Sequence, residues 1–283
     1  MTAAETARGI LELTRPVNVI AASVLTCIGA FVAGGLTEAP VAVGSAVAAT
    51  GLAVGAGNAI NDYFDREIDR INQPERAIPR GAVSPNGALA FSVVLFLVAV
   101  GLSLTLPTLA IAIAGVNLLA LIAYTEVFKG LPGVGNALVA YLVGSTFLFG
   151  GAAVGDLEAA SVLCLLAAIA TLTREIIKDV EDVDGDRAEG LNTLPIAIGE
   201  RRALLVALSL LVIGVLASPL PYLLELFGLA YLVVVIPADL VMVYAGVRSF
   251  ADPTAGQSVL KYGTFLAALA FVVGRLDELL GVM

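Results

Sequence analysis

No histidine occurs anywhere in the chain, so no imidazole is available to ligate a metal or shuttle a proton near neutral pH. Both cysteines, Cys27 and Cys164, lie in apolar stretches without a CxxC pair or metal-ligand spacing. They read as small core residues and argue against a disulfide framework. Charge is scarce too, at 14% of 283 residues, with 59% hydrophobic; a soluble domain carries about a quarter charged. The net charge of −9 argues against a nucleic-acid partner and suits a high-salt cytoplasm.

What is present is a series of long uncharged runs: 16–37, 39–61, 81–125, 130–155, 159–173 and 203–224. A membrane-spanning helix needs roughly 20 mostly apolar residues, and 81–125 is long enough for two. The chain is therefore read as an all-α, multi-pass membrane protein. Its first residues mix acids with bases, and the run after Arg15 is too long for a signal sequence, so 16–34 is kept as a span. Breaks at glycine, proline and charge predict nine helices near 16–34, 40–65, 87–105, 108–127, 134–153, 158–182, 203–219, 222–247 and 257–280. Pro237 and Asp239 are expected to disturb the eighth.

With the N-terminus inside, all but two of the 15 lysines and arginines fall on cytoplasmic segments. That asymmetry predicts a cytoplasmic N-terminus, an outer C-terminus and placement in the cell membrane.

Acidic residues gather in two places. In "NAINDYFDREIDR", residues 58–70, Asn58, Asp62, Asp65 and Asp69 share one helical face, with Asn61 beside it. In "TREIIKDVEDVDGD", Asp179, Asp182 and Asp186 repeat the spacing of Asp62, Asp65 and Asp69, each 117 residues later. Glu175 stands in the place of Asn58 and Lys178 in that of Asn61. Proline follows each stripe, at Pro79 and Pro195. The pattern reads as an internal duplication, with motifs at 58–80 and 175–196 in one transmembrane domain over 1–283. Carboxylates at a membrane-helix end mark a site, and six facing one cavity would repel unless cations intervene. Oxygen-only ligands suit Mg²⁺ shared with substrate phosphates. The chemistry implied is a diphosphate held between two carboxylate stripes, with bases gripping its outer oxygens. Glu67, Glu181, Asp184 and Glu189 fall off the stripes and read as solvated surface.

"NDYFDREID" and "DVEDVDGD" fit the paired NDxxDxxxD and DxxDxxxD motifs of the UbiA superfamily of intramembrane prenyltransferases. The chain resembles that family along essentially its whole length, including "RPVN" at 15–18. The resemblance implies a nine-helix bundle with a central cavity opening to the cytoplasm, and an Mg²⁺ cofactor. It implies Asn61, Asp65, Asp69, Asp182 and Asp186 as metal ligands. Asp62, Asp65, Asp179 and Asp182 are the catalytic candidates, Asp62 among them as a possible proton acceptor. Tyr124 and Lys129 match a tyrosine–lysine pair that contacts the diphosphate. Asn18, Asn58, Arg76, Arg80 and Lys178 complete the expected substrate-binding set. Arg80 replaces a small residue usual in relatives, and an added cation there suits a phosphate-bearing acceptor.

Three stretches, at 135–151, 174–186 and 190–199, are most similar to the archaeal branch that adds a second geranylgeranyl chain to geranylgeranylglyceryl phosphate. Partners on that reading are a prenyl diphosphate, a lipid-phosphate acceptor and the bilayer. An aromatic-acceptor prenyltransferase of quinone or chlorophyll synthesis is the alternative, and a cation-coupled transporter the more distant one. Asn117 reads as a polar helix–helix contact and Glu126 as a solvated or lipid-interface residue; Asp239 is left without a role.

Overall fold

The computed structural model describes residues 3–124, 128 and 130–281, and among them there are helices and no strands. Helix α1 (Ala3–Thr14) is followed by α2 (Pro16–Val32), and the two meet at a 46° bend. A single turn, α3 (Gly35–Glu38), leads into α4 (Pro40–Phe64) and short α5 (Arg66–Asn72). Next come α6 (Pro85–Ser103), α7 (Thr108–Ala123), α8 (Val134–Val154) and α9 (Glu158–Glu181). Short α10 (Val183–Ala188) and α11 (Leu194–Ile198) connect to α12 (Glu200–Ala217), one-turn α13 (Leu220–Leu223), α14 (Leu229–Arg248) and α15 (Pro253–Leu280). Among the described residues, seven helices are long and apolar enough to cross a membrane, counting α12 continued through α13, or eight if the bent α1–α2 pair is one span; α7 is a shorter apolar helix.

The expected elements lie within a few residues of these bounds, because prolines and caps set the starts. Pro16, Pro40, Pro85 and Pro253 each occupy the first helical turn, where the missing N–H costs nothing. Ser84 and Asp252 accept from the N–H groups of Gly87 and Ala255 at 3.1 and 3.0 Å. The expectation at 222–247 needs correction. The helix runs unbroken through Pro237, and the chain turns earlier, at 224–228, where Glu225 takes φ 58°. Helix α1 was not anticipated. Its apolar face is short, but Gly9 and Leu13 are buried, and a Cβ at Gly9 would meet Val83 and Ala82.

Lipid supplies no hydrophobic drive for helices to associate, so close packing must do it, and small residues permit it. A Cβ on Gly29 of α2 would lie 2.1 Å from the Phe147 carbonyl oxygen of α8, and one on Gly150 of α8 would lie 2.1 Å from that of Thr26. Gly35 meets Val154 farther along. Gly29 meets Phe147, Gly150 lies between Thr26 and Ala30, and Ala33 follows beside Gly151, so the contacts advance together and α2 and α8 run parallel. Helix α8 also lies against α4 and α9, which carry the two acidic motifs.

Neither motif occupies one continuous helix, which corrects the expectation of straight stripes. Helix α4 ends at Phe64 and α5 begins at Arg66, with Asp65 (ψ 0°) at the junction. Helix α9 ends at Glu181 and α10 begins at Val183, with Asp182 (ψ 3°) at the junction. The helix is therefore interrupted at equivalent aspartates in the two motifs. Asp is a poor helix-interior residue because its carboxylate competes for nearby backbone groups. Hydrogen bonding still spans both interruptions, from Asp69 N to Asp65 O at 2.9 Å and from Asp186 N to Asp182 O at 3.0 Å.

Candidate active site

Asp62 ends the apolar part of α4, only 5% exposed. Its Oδ1 accepts from Arg15 Nη2 at 2.6 Å, and Arg76 Nη1 stands 3.5 Å away. The same Arg76 nitrogen donates to Asp69 Oδ2 at 2.7 Å, so one guanidinium spans the junction between two buried carboxylates. Arg15 reaches Asp62 from the α1–α2 corner, where it holds φ 49°, a left-handed conformation uncommon outside glycine. Asn58 ties that corner to α4 by donating to the Thr14 carbonyl at 2.9 Å.

The second motif is arranged around α8. Asn136 Nδ2, in its first turn, donates to Asp179 Oδ2 at 2.8 Å. Lys178 pairs with Asp182. Asp186 Oδ2 accepts from Thr193 Oγ1 at 3.0 Å. Glu175 is held by Arg174, whose other nitrogen reaches Gln257 at the start of α15. Tyr124 lies near enough to feel the charges of Glu175, Asp179 and Lys178. Arg15 adjoins the start of α2 and Asn136 the start of α8, and these helices are parallel. Both motifs therefore sit at one end of the bundle.

That end holds a polar cavity of about 540 Å³, lined by Arg8, Arg15, Arg76 and Arg80 and by Glu12, Asp62 and Glu75. Glu12 gathers two of its cations, accepting from Arg8 at 2.8 Å and from Arg80 at 2.5 Å. Arg80 also donates to the Glu75 carbonyl. The Arg80 hydrogen bond pulls the Glu12 carboxyl below its ordinary value, against a smaller upward push from burial. In a chain of net charge −9, an arginine-lined cavity is where an anionic ligand gains most.

Of the anticipated residues, Asp62, Asp69, Arg76 and Arg80 meet around the first motif, and Asp179, Asp182, Asp186, Lys178 and Tyr124 around the second. Asp65 is exposed at its junction, with Asn61 one turn before it. Asn18 is exposed on the first turn of α2, and no hydrogen bond or ion pair joins it to the others. Lys129 and Glu126 lie outside the described residues. Among the described residues, no three of Asp, Glu, Cys and His form a group that could hold a metal by itself. That does not oppose Mg²⁺, which is usually held by one or two carboxylates and completed by phosphate oxygens and water. The donor chemistry, oxygen throughout, fits that ion.

Off the stripes, Glu67 pairs with Arg66 and Arg70, and Asp184 with Arg187, all near solvent. Glu181 departs from expectation: it is half-buried, and its Oε2 is buried without a partner. Asn117 likewise leaves Oδ1 unpaired instead of bridging helices. Sequence reasoning assigned no site role to Arg8, Glu12, Arg15, Asn136 or Thr193. The available signals were a charged residue next to a helix-starting proline, and a lone asparagine opening an apolar run.

The model of the UbiA prenyltransferase family matches residues 22–272. The chain is 68% identical to the digeranylgeranylglyceryl phosphate synthase of Natronomonas pharaonis over 273 residues, covering 96% of this chain and 98% of that one. It is 62% identical to the enzyme of that name from Halobacterium salinarum, over 96% of this chain and 99% of that one. A solved structure described as a digeranylgeranylglyceryl phosphate synthase in membranes superposes with a TM-score of 0.87 at 36% identity, covering 96% and 99% of the two chains. A UbiA homologue from Archaeoglobus fulgidus, bound to DMAPP and Mg²⁺, shares the fold with a TM-score of 0.69 at 18% identity, over 97% and 99%. With its paired aspartate motifs at one end of a helical membrane bundle, the chain belongs to the UbiA prenyltransferase family.

Proposed function

We propose that the protein transfers a geranylgeranyl group from geranylgeranyl diphosphate to geranylgeranylglyceryl phosphate, releasing diphosphate and forming digeranylgeranylglyceryl phosphate. The observation that carries this reading is the near-full-length identity of 68% to a synthase of that name. The arginine-lined cavity beside the first motif supports it, because this acceptor, unlike a quinone precursor, brings its own phosphate.

Asn61, Asp65 and Asp69 on one side, and Asp182 and Asp186 on the other, would hold Mg²⁺ with the donor diphosphate. Bound there, the metal supplies charge neutralisation for the departing diphosphate. Arg15 and Arg76 orient Asp62 and Asp69 and present guanidinium edges to phosphate oxygens. Lys178 and Tyr124 serve the second face. As the allylic carbon–oxygen bond breaks, these cations stabilise the charge left on the leaving group. The acceptor hydroxyl oxygen then bonds to the allylic carbon and gives up its proton to Asp62, a buried carboxylate that lines the cavity. Arg80 and Arg8, gathered by Glu12, hold the acceptor phosphate. The apolar bundle keeps water from the cationic carbon.

Nine spans, with the N-terminus and the site on the cytoplasmic face and the C-terminus outside, accord with the placement of the basic residues. The matching interruptions at Asp65 and Asp182 support an internal duplication within a single domain over 1–283. The experiment offers purified protein labelled geranylgeranyl diphosphate and Mg²⁺, with geranylgeranylglyceryl phosphate and 4-hydroxybenzoate in parallel, each with and without EDTA. EDTA-sensitive prenylation of the glycerol phosphate is expected. Prenylation of the aromatic alone overturns the acceptor, and undiminished turnover in EDTA overturns the metal assignment.

A further inference from the structure

A second cavity, of about 150 Å³, lies inside the bundle among α2, α8, α9, α12, α14 and α15. Thr171 borders it, eight residues along α9 from Asp179, or about 12 Å. Leu163, Tyr231 and Phe271 border it too, and all three are almost wholly buried. Its lining is overwhelmingly apolar, yet it includes a carboxylate, Asp239, only 8% exposed. Asp239 Oδ2 accepts from Ser218 Oγ at 2.5 Å, while its Oδ1 is buried with no partner. The Ser218 carbonyl accepts from the Tyr231 hydroxyl at 2.7 Å. Tyr231 in turn packs edge-on against Phe271, with ring centroids 5.2 Å apart. Together these residues latch the end of α12 to α14.

A half-satisfied carboxyl facing hydrocarbon inside a membrane bundle is costly, and such groups usually mark function. We infer that this cavity receives the distal isoprene units of the transferred chain, and that the Ser218–Asp239–Tyr231 latch closes its far end and limits chain length. The inference rests on the prenyltransferase reading, which puts the diphosphate at the aspartate motifs. From Asp179 to Leu163 is 16 residues of α9, about 24 Å. Four extended isoprene units span about 20 Å at ordinary bond lengths. The diphosphate headgroup between the carboxylate and the first chain carbon makes up the difference, so a twenty-carbon chain anchored at the motifs ends near Leu163, which packs in one cluster with Tyr231 and Phe271 of the latch. Admitting a fifth unit requires breaking the Ser218–Asp239 and Tyr231–Ser218 hydrogen bonds where only hydrocarbon could replace them.

The test measures kcat/KM of the full-length protein for twenty- and twenty-five-carbon prenyl diphosphates, with geranylgeranylglyceryl phosphate as acceptor. Asp239→Ala opens the latch and is expected to raise the ratio of the longer to the shorter donor by about tenfold, the scale of discrimination that an apolar pocket achieves. Asp239→Asn keeps a polar isostere and should leave the ratio within about twofold of wild type. Tyr231→Phe, which keeps the aromatic packing and removes one hydrogen bond, should shift the ratio in the same direction as Asp239→Ala and by less. An unchanged ratio in Asp239→Ala overturns the inference, as does one in Tyr231→Phe should the first variant fail to fold. Loss of twenty-carbon transfer in both Asp239 variants with unaltered thermal melting also overturns it, by showing a catalytic role. If the wild type transfers no chain to any acceptor, the prenyltransferase reading falls, and the latch with it.

Discussion

Arg15 carries two separable terms that three substitutions can resolve. Its guanidinium is a partner of Asp62, which is 5% exposed, while Arg76 is 3.5 Å from that oxygen and bound more closely to Asp69. Removing Arg15 leaves a buried carboxylate short of a charged donor, a loss of roughly 1.5–3 kcal/mol. The Arg15 side chain is 38% exposed, so water takes up part of its place, and about 2 kcal/mol is the expected cost of Arg15→Ala. The second term is the backbone. At φ 49° a residue with a Cβ carries strain that glycine escapes, worth about 1 kcal/mol. Arg15→Gly should therefore be the more stable of the two by about 1 kcal/mol despite losing the same charge. Arg15→Lys should restore part of the ion pair but not its forked geometry. Thermal unfolding of all three in one detergent reads the order: wild type, then Lys and Gly, then Ala. All three should lose prenyl transfer. Should Arg15→Ala prove as stable as Arg15→Gly, the strain at the α1–α2 corner is refuted; if both match wild type, so is the dependence of Asp62 on Arg15.

Gly150→Ala would put a Cβ 2.1 Å from the Thr26 carbonyl oxygen, and since backbone cannot rotate aside, α2 and α8 must separate. Overpacking of that kind costs about 1–3 kcal/mol; an unchanged melting temperature would count against the α2–α8 crossing. Asp65→Asn and Asp182→Asn should abolish turnover while melting as wild type does, whereas Glu67→Gln, whose partners are the partly solvated Arg66 and Arg70, should stay near normal; comparable losses in all three would mean that the motif faces are misassigned. The Glu12 carboxyl is held below its ordinary value of 4.5 by Arg80, so its contribution to stability is complete above that value and is lost as pH falls through the lower folded one. The stability difference between wild type and Glu12→Gln should accordingly be constant near neutrality and vanish under acid, and a difference that grows with acid would refute a lowered Glu12 carboxyl.

Composition and spacing determine a great deal of this protein. Uncharged runs of about twenty residues cross a bilayer as helices, which satisfy each backbone N–H and C=O within the segment, whereas a barrel strand needs only about ten residues. Prolines and glycines between the runs place the helix ends within a few residues. The repeated aspartate spacing marks the two motifs, because chemistry that holds a diphosphate needs several carboxylates at helical intervals. Spacing could not reveal that both helices are interrupted at their middle aspartate, because an interruption of this kind leaves the hydrogen-bond chain, and hence the sequence period, nearly intact. Nor could it name the partners. Arg15 meets Asp62 across 47 positions and Asn136 meets Asp179 across 43, and such pairs depend on how α2 packs on α4 and α8 on α9. Glu181 and Asp239 show the same limit. Whether a carboxylate near a helix end meets water or a neighbouring helix is decided by packing, and packing is a property of the whole bundle rather than of any one segment.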